Sequence, residues 1–322
     1  MGVATIVSRV GAIAAFLRAH RRLTKSIQLA LVVLTLGLGF WAVRNEWSKA
    51  GPLLENASPA YLALAFAAVA AYYLVFILGW IRILAAWGID IPYRVALSAE
   101  MVSMLAKYIP GGVWTPAARA VALRRATGIA ETPKVLASVL MEAALSAISG
   151  VIVFVVSLAW VKGVNAPLLP LVLFGVACAI GIHPRIFRPL ANKLLGPFGG
   201  GEIDALPFPV TLVLLVFYCG TWLIGGAAVY FMLRSLGSDP GLATIPFLGG
   251  TSAVGAIVAV VAVFSPSGLG VREASMYGLL LAITSEGPAL GATLVNRLVI
   301  TLVELALFGV GILTWRGMRT RT

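Results

Sequence analysis

Apolar stretches long enough to cross a bilayer recur along almost the whole of this chain, and two further apolar regions are broken by clusters of proline and glycine. A helix needs about 20 apolar residues, with a range of roughly 17–25, to span the hydrocarbon core. Six stretches meet that requirement without interruption: residues 26–43, 59–81, 133–160, 166–182, 210–233 and 288–315. Backbone polar groups in hydrocarbon must be satisfied within the segment, so such stretches are helices and the fold class is an all-α polytopic membrane protein. Charged residues make up 11% of the 322 residues, against about 25% in an ordinary soluble domain. The longest polar segment, residues 183–208, is too short to bury a core of its own. The expected organisation is a basic cytoplasmic N-terminal segment, residues 1–25, followed by one transmembrane domain over residues 26–322.

The formal net charge of +12 would suggest nucleic acid in a soluble protein. Here the basic residues sit between apolar runs, so they read as orientation signals and contacts for anionic lipid, and no nucleic-acid partner is expected. Cys178 and Cys219 lie inside apolar runs and read as small buried hydrophobes. His20 and His183 have no metal-ligand spacing. No metal and no cofactor is expected. Before the first run, Val3, Ile6, Val7, Val10, Ile13, Ala14 and Leu17 share one helical face, with Arg9, Arg18, Arg21, Arg22 and Lys25 around them. An interfacial helix and a cytoplasmic tail both fit that pattern.

Basic loops set the orientation. The segment up to Lys25 lies inside, Arg82 and Arg94 return the chain inside, and Arg124 and Arg125 keep it there. Arg185, Arg188 and Lys193 lie inside again, as do Arg316, Arg319 and Arg321, so both termini are expected in the cytoplasm. The broken regions are residues 91–128, interrupted at Pro110-Gly111-Gly112, and residues 242–284, interrupted at "SPSGLG". The favoured topology makes each a re-entrant helical hairpin, the first from the cytoplasm and the second from outside, alongside about six full spans. A count in which each half crosses fully has the same parity. Broken backbone at membrane depth survives where it is buried in protein or lines a cavity, which favours hairpins.

The broken regions also resemble each other. "KYIPGGVWTPAAR" precedes a helix opening at Pro133, and "VFSPSGLGVREAS" precedes one opening at Pro288. Repeat units of about 91–160 and 242–315 then run through the membrane in opposite directions. That is an inverted repeat, the arrangement that in transporters places a site where discontinuous helices meet.

Several residues carry candidate chemistry. At the first break Thr115 suits an N-cap and Pro116 a first helical position. Gly111 and Gly112 permit close approach to the backbone, and Lys107 and Arg119 add positive charge. A helix N-terminus with such neighbours is a reasonable phosphate or lipid-headgroup site. The second break repeats the logic with Ser265, Pro266, Ser267, Gly268 and Gly270, followed by Arg272 and Glu273. A plain turn with snorkelling Lys107 and Arg272 is the simpler alternative. Within spans, Glu142 and Arg297 each lie about 13 Å deep at 1.5 Å per residue. An intramembrane charge costs at least about 2.5 kcal/mol on insertion scales, so the two are expected to pair with each other or to face a headgroup. Glu304, Asn296 and Glu100 are further candidates for a polar path. Tryptophans 80, 87, 160, 222 and 315 fall near span ends, where aromatic belts are expected, and Trp114 lies in the break. No phosphate-binding loop, dinucleotide fingerprint or nucleophile–base pair occurs, so no catalytic residue is assigned and an enzyme is not expected.

"KYIPGGVW" with its later arginine, followed by "SPSGLGVREA", resembles the transmembrane region of lysylphosphatidylglycerol synthases and the flippase-like membrane proteins that share it. The resemblance runs from about residue 60 to the end. Lys107, Pro110, Gly111, Gly112 and Arg119 match its first motif, and Pro266, Gly268, Gly270, Arg272 and Glu273 its second. In full synthases a soluble aminoacyl-transferase domain follows this region. None follows residue 322 here, so the resemblance implies lipid translocation rather than aminoacylation. The implied substrate is an anionic phospholipid, an aminoacylated lipid or a polyprenyl-phosphate lipid in the cytoplasmic (inner) membrane of a bacterium or archaeon. The rival expectation is a membrane scaffold or accessory subunit for a separate lipid synthase or glycosyltransferase.

Overall fold

The computed structural model describes residues 54–104, 114–129, 131–161, 168–196, 202–262 and 270–319, with a few single positions outside those stretches. Regular structure among them is entirely helical. The helices are α1 (Pro59–Ala86), α2 (Tyr93–Met104), α3 (Trp114–Thr127), α4 (Thr132–Ser157), α5 (Leu168–Ile182), α6 (Pro184–Leu195), α7 (Phe208–Ser235), α8 (Ile245–Val261, led in by a single 3-10 turn at Leu242–Thr244), α9 (Val271–Leu280) and α10 (Glu286–Arg319). Proline stands in the first turn of α1, α4, α6, α7 and α8, where its missing N–H leaves no intrahelical bond unmade.

Five segments have the length and apolar character to cross a membrane: Pro59–Ala86, Thr132–Ser157, Phe208–Ser235, Leu242–Val261 and Glu286–Thr314. The expected span at residues 26–43 lies outside the described residues. The expected span at residues 166–182 is shorter than anticipated. Helix α5 has 15 residues and meets α6 at a bend of 73°. The cause is local. His183 is extended because a proline follows it, and Pro184 starts a new helix whose Arg185, Arg188 and Lys193 suit the interface rather than the hydrocarbon.

The two broken regions differ in their arms. Helices α2 and α3 have 12 and 14 residues, each too short to cross alone. In the second region Leu242–Val261 is 20 residues long, while α9 has ten. In both regions the helices before and after the break pack against each other. The break residues Lys107, Pro110, Gly111 and Gly112, and likewise Ser265, Pro266 and Ser267, lie outside the described residues.

Packing is organised around the pair α1 and α7, both 28 residues long and in extensive contact. Each is followed by a broken pair and then a long helix. The broken pairs interlock: α2 packs on α10, and α8 packs on α4. Ser98 of α2 donates to the carbonyl of Gly311 on α10 at 2.7 Å.

In lipid there is no hydrophobic drive between apolar helices, so small residues that admit close backbone contact hold them together. Helix α8 uses this on two sides. A Cβ at Gly249 would sit 2.4 Å from the Trp222 carbonyl of α7, and one at Gly226 of α7 would sit 2.2 Å from the Ile245 carbonyl. On the other side a Cβ at Gly250 would lie 2.6 Å from the Cα of Phe154 on α4. The outer face carries large exposed apolar groups such as Leu169, Val213 and Val216, which is the surface expected where solvent is lipid. Replacing Gly249 by leucine should therefore destabilise the protein by about 1–3 kcal/mol or more, seen as a lower unfolding temperature in detergent. Gly220→Leu, whose added Cβ meets open space, should change it little.

Candidate functional site: two buried charge clusters beside a polar cavity

The first charge cluster is assembled by α2, α3 and α4. Arg119, 23 residues before Glu142, turns inward from α3. Its Nη1 donates to Glu142 Oε2 at 2.5 Å and its Nη2 donates to Glu100 Oε1 at 2.5 Å. All three residues are buried, at 4%, 3% and 7% exposure respectively. The guanidinium also lies over the Trp80 ring, 4.8 Å from its centroid, which gives it a cation–π contact. The Trp80 indole is held in turn by a 2.8 Å hydrogen bond to Ser138 Oγ. Trp80 is thus a core residue, as is Trp222 at 7% exposure, and neither belongs to an interfacial belt. Glu142 does not pair with Arg297. After the first break the chain returns through α3, and this places Arg119 between the carboxylates of the two neighbouring helices. Arg119 accordingly spends both terminal nitrogens on carboxylates rather than on an external phosphate. Helix α3 starts at Trp114, so Thr115 lies within its first turn rather than capping it.

The second cluster joins α9 to α10 at almost the same sequence spacing. Gly268 and Gly270 have φ of +69° and +83°, a backbone region that costs other residues energy. A Cβ at Gly268 would also lie 2.2 Å from the Cβ of Ala259 on α8. The "SGLG" stretch thus needs glycine both for its turn and for contact with α8. Glu273 then performs two jobs. Its Oε2 accepts from the Gly270 backbone N–H at 2.7 Å, and its Oε1 stands 3.7 Å from Arg297 Nη1. A carboxylate in the first turn is favourable against the helix dipole. It also means that the N-terminus of α9 already faces a negative charge supplied by the chain itself. Further along α10, Asn296 contacts Met276 Sδ at 3.4 Å, and the fully buried Glu304 accepts a hydrogen bond from the Tyr73 hydroxyl of α1.

A cavity of ≈ 140 Å³ is lined by residues of α1, α7, α8, α9 and α10. Its polar wall comes from Tyr72, Tyr73, Ser252, Arg272 and Asn296, with Trp222 on one side. Arg272 is half-buried, and its guanidinium forms no ion pair or hydrogen bond among the described residues. It is near enough to act electrostatically on both Tyr72 and Tyr73. Of the residues singled out from sequence, Arg272 and Asn296 reach this cavity, whereas Glu100, Arg119 and Glu142 form a separate cluster. Tyr72, Tyr73 and Ser252 were missed. A tyrosine pair in the middle of an apolar run, away from the span ends where tyrosine is usual, was the available signal.

Truncating Arg119 to alanine would leave two buried carboxylates without their shared counter-charge. The expected cost is about 3–5 kcal/mol, measurable by chemical denaturation in detergent. Combining Arg119→Met with Glu100→Gln and Glu142→Gln should restore much of that loss, because the triple variant buries no charge at the cluster.

The family model of the lysylphosphatidylglycerol synthase TM region matches residues 27–307. The matched span contains both charge clusters, the cavity and both breaks. No match is found among curated proteins. A match over most of the chain means that this protein belongs to the lysylphosphatidylglycerol synthase TM region family.

Proposed function

We propose that the protein is a lipid flippase or transporter that moves a phospholipid or lipid-linked phosphate headgroup across the cytoplasmic membrane through a polar route between its two broken regions. The observation that carries this reading is Arg272: a cation in a cavity inside an apolar bundle, with no counter-ion among the described residues. A group of that kind is costly in a membrane interior unless it serves a ligand or a path. Phosphate is the natural complement of a guanidinium, which can hold it through two parallel hydrogen bonds. Tyr72, Tyr73, Ser252 and Asn296 would supply further donors to headgroup oxygens, while acyl chains stay in the bilayer. Lys107, Pro110, Gly111, Gly112, Thr115, Ser265, Pro266, Ser267, Gly268 and Gly270 belong to this proposal as the two junctions through which the headgroup passes.

The same reading takes the broken regions as hairpins of an inverted repeat. Its support is the exchange in the packing, in which the first helix of each broken region lies on the long closing helix of the other unit while α1 and α7 pair at the centre. A second support is that each unit ties the helix after its break to its closing helix by an ion pair, Arg119–Glu142 in one and Glu273–Arg297 in the other. The charges are reversed between the two.

A membrane accessory subunit for a separate synthase or glycosyltransferase remains the second reading, and one observation favours it. Residues after α5 form a built polar surface: Arg188 binds Glu202 at 2.7 Å and lies 3.4 Å from Asp204, and Asn192 clasps the backbone of Ile203 from both sides. The readings separate in reconstituted vesicles containing the purified protein alone. The flippase reading expects headgroup translocation of an anionic phospholipid, reduced about tenfold to a hundredfold by Arg272→Gln. That range corresponds to loss of a charge-assisted hydrogen bond of about 1.5–3 kcal/mol. An unchanged rate in folded Arg272→Gln would remove the phosphate role, and no translocation by the wild type would favour the accessory subunit.

A further inference from the structure

We propose that a groove between α4, α5 and α6 is a binding site for a phospholipid of net negative charge, with one acyl chain lying in the groove and the phosphate against Lys193. The groove has a volume of ≈ 230 Å³ and shares no lining residue with the polar cavity. Its walls are apolar, with Leu140 and Ala144 from α4, Cys178 and Gly181 from α5, and Leu190 and Leu194 from α6.

The bend at Pro184 creates it. Helix α6 leaves the line of α5 at 73° and turns toward the first half of α4, where Ala137 and Ala144 are too small to fill the space. One edge of α6 is fastened down. Phe187 stacks on Trp87 with centroids 6.0 Å apart, and Asn192 holds the backbone of Ile203. The other edge is open, leaving Leu190 and Leu194 at 48% and 53% exposure. Next to it α5 carries Leu169, Leu173, Val176 and Ile180 exposed along its length, the kind of face that meets lipid. An apolar hollow opening onto such a face is filled by hydrocarbon, because water finds no polar partner there and empty space forfeits dispersion contacts.

Charge selects the headgroup. At about 100° per residue, Phe187, Leu190, Ala191 and Leu194 fall on one face of α6, and Lys193 and Arg188 stand at its two edges. Arg188 is engaged by Glu202 and Asp204. The start of α6 is closed as well, since the Arg185 N–H donates to His183 Nδ1 at 3.3 Å. Lys193 is exposed, pairs with no carboxylate among the described residues, and lies on the open edge three residues after Leu190, a spacing that puts Cβ atoms about 5–6 Å apart. An amphipathic helix at the membrane surface sinks its apolar face about 5–10 Å below the headgroups. Lys193 then stands at phosphate depth, and the groove at the depth of the upper acyl chain.

Photo-crosslinking of the full chain in lipid nanodiscs tests the site without reference to translocation, so its outcome is independent of the flippase reading. The probes are phosphatidic acid and phosphatidylcholine, each with a diazirine on one acyl chain, and crosslinked peptides are mapped by mass spectrometry. Phosphatidic acid should label residues of α4, α5 and α6 around the groove more strongly than phosphatidylcholine does. Lys193→Gln, at an exposed position that should leave the fold intact, should reduce that preference about fivefold, the effect of one cation near a membrane surface. Gly181→Phe should abolish groove labelling by both lipids. A Cβ at Gly181 meets nothing within 4 Å, so the added ring can enter the groove, and an unchanged unfolding temperature would confirm that the fold survives. Equal labelling by the two lipids, a preference that ignores Lys193→Gln, groove labelling that persists in folded Gly181→Phe, or a Cys178–Cys178 crosslink showing a second copy seated on the groove would each overturn the proposal.

Discussion

The docking of α1, α2, α3 and α4 depends on charge that has been taken out of water. Arg119 carries the greatest constraint, because a guanidinium at 4% exposure is tolerable only if its partners are already in place. Two carboxylates and the face of an indole provide them, and they come from three other helices: α2, α4 and α1. The cluster cannot exist until all four helices are docked, so it specifies how they dock. A buried ion pair is weak evidence for net stability, since apolar replacements of similar volume often do as well. Its effect here is better described as selectivity among packings: in a bundle where most surfaces are apolar and interchangeable, one polar set has a single satisfactory arrangement.

Close backbone packing makes that arrangement reachable. Helix α8 lies between α4 and α7 with glycines on both contact faces, and no side chain larger than hydrogen fits at Gly249 or Gly250. The tightness on this side brings Ser252 and Ala256 up to the cavity wall beside Trp222 and Gly225. The opposite wall is built by α9, whose start is determined by the two left-handed glycines and by Glu273 folding back on Gly270. Cavity shape is thus set by glycines, while its polarity is set by a handful of side chains on α1, α9 and α10.

Much of this architecture could be read from the residues, and the limits have physical causes. Crossing helices were legible because length and apolarity are sufficient in a membrane, and four of the six expected spans coincide with crossing-length helices in the described chain. The stretch ending at residue 182 is a crossing candidate only together with α6, because a proline redirects the chain there, and composition does not report a bend. The second broken region also reads as nearly continuous hydrophobicity, yet its first arm is long enough to cross while its second is short. Glu100, Glu142 and Arg297 stood out because a charge inside an apolar run is expensive. Their partners could not be read, since pairing depends on which helix returns beside which. Arg119, in "PAARAVALRRA", stood out from Arg124 and Arg125 by its place near the break, but nothing in the residues told that it turns to Glu100 and Glu142 rather than to a phosphate.

The two clusters explain why Arg272, unlike Arg119 and Arg297, is not held in an ion pair among the described residues. Arg119 is paired with Glu100 and Glu142, and Arg297 with Glu273. At the start of α9 the Gly270 N–H is likewise bonded to Glu273. Arg272 precedes Glu273 by one residue, and helical geometry turns adjacent side chains about 100° apart. One therefore faces Arg297 while the other lines the cavity. The motif "GVRE" accordingly places opposite charges on two sides of one short helix, one beside Arg297 and one lining the cavity. An internal carboxylate that neutralised Arg272 would have made a second structural pair. No such carboxylate pairs with it among the described residues.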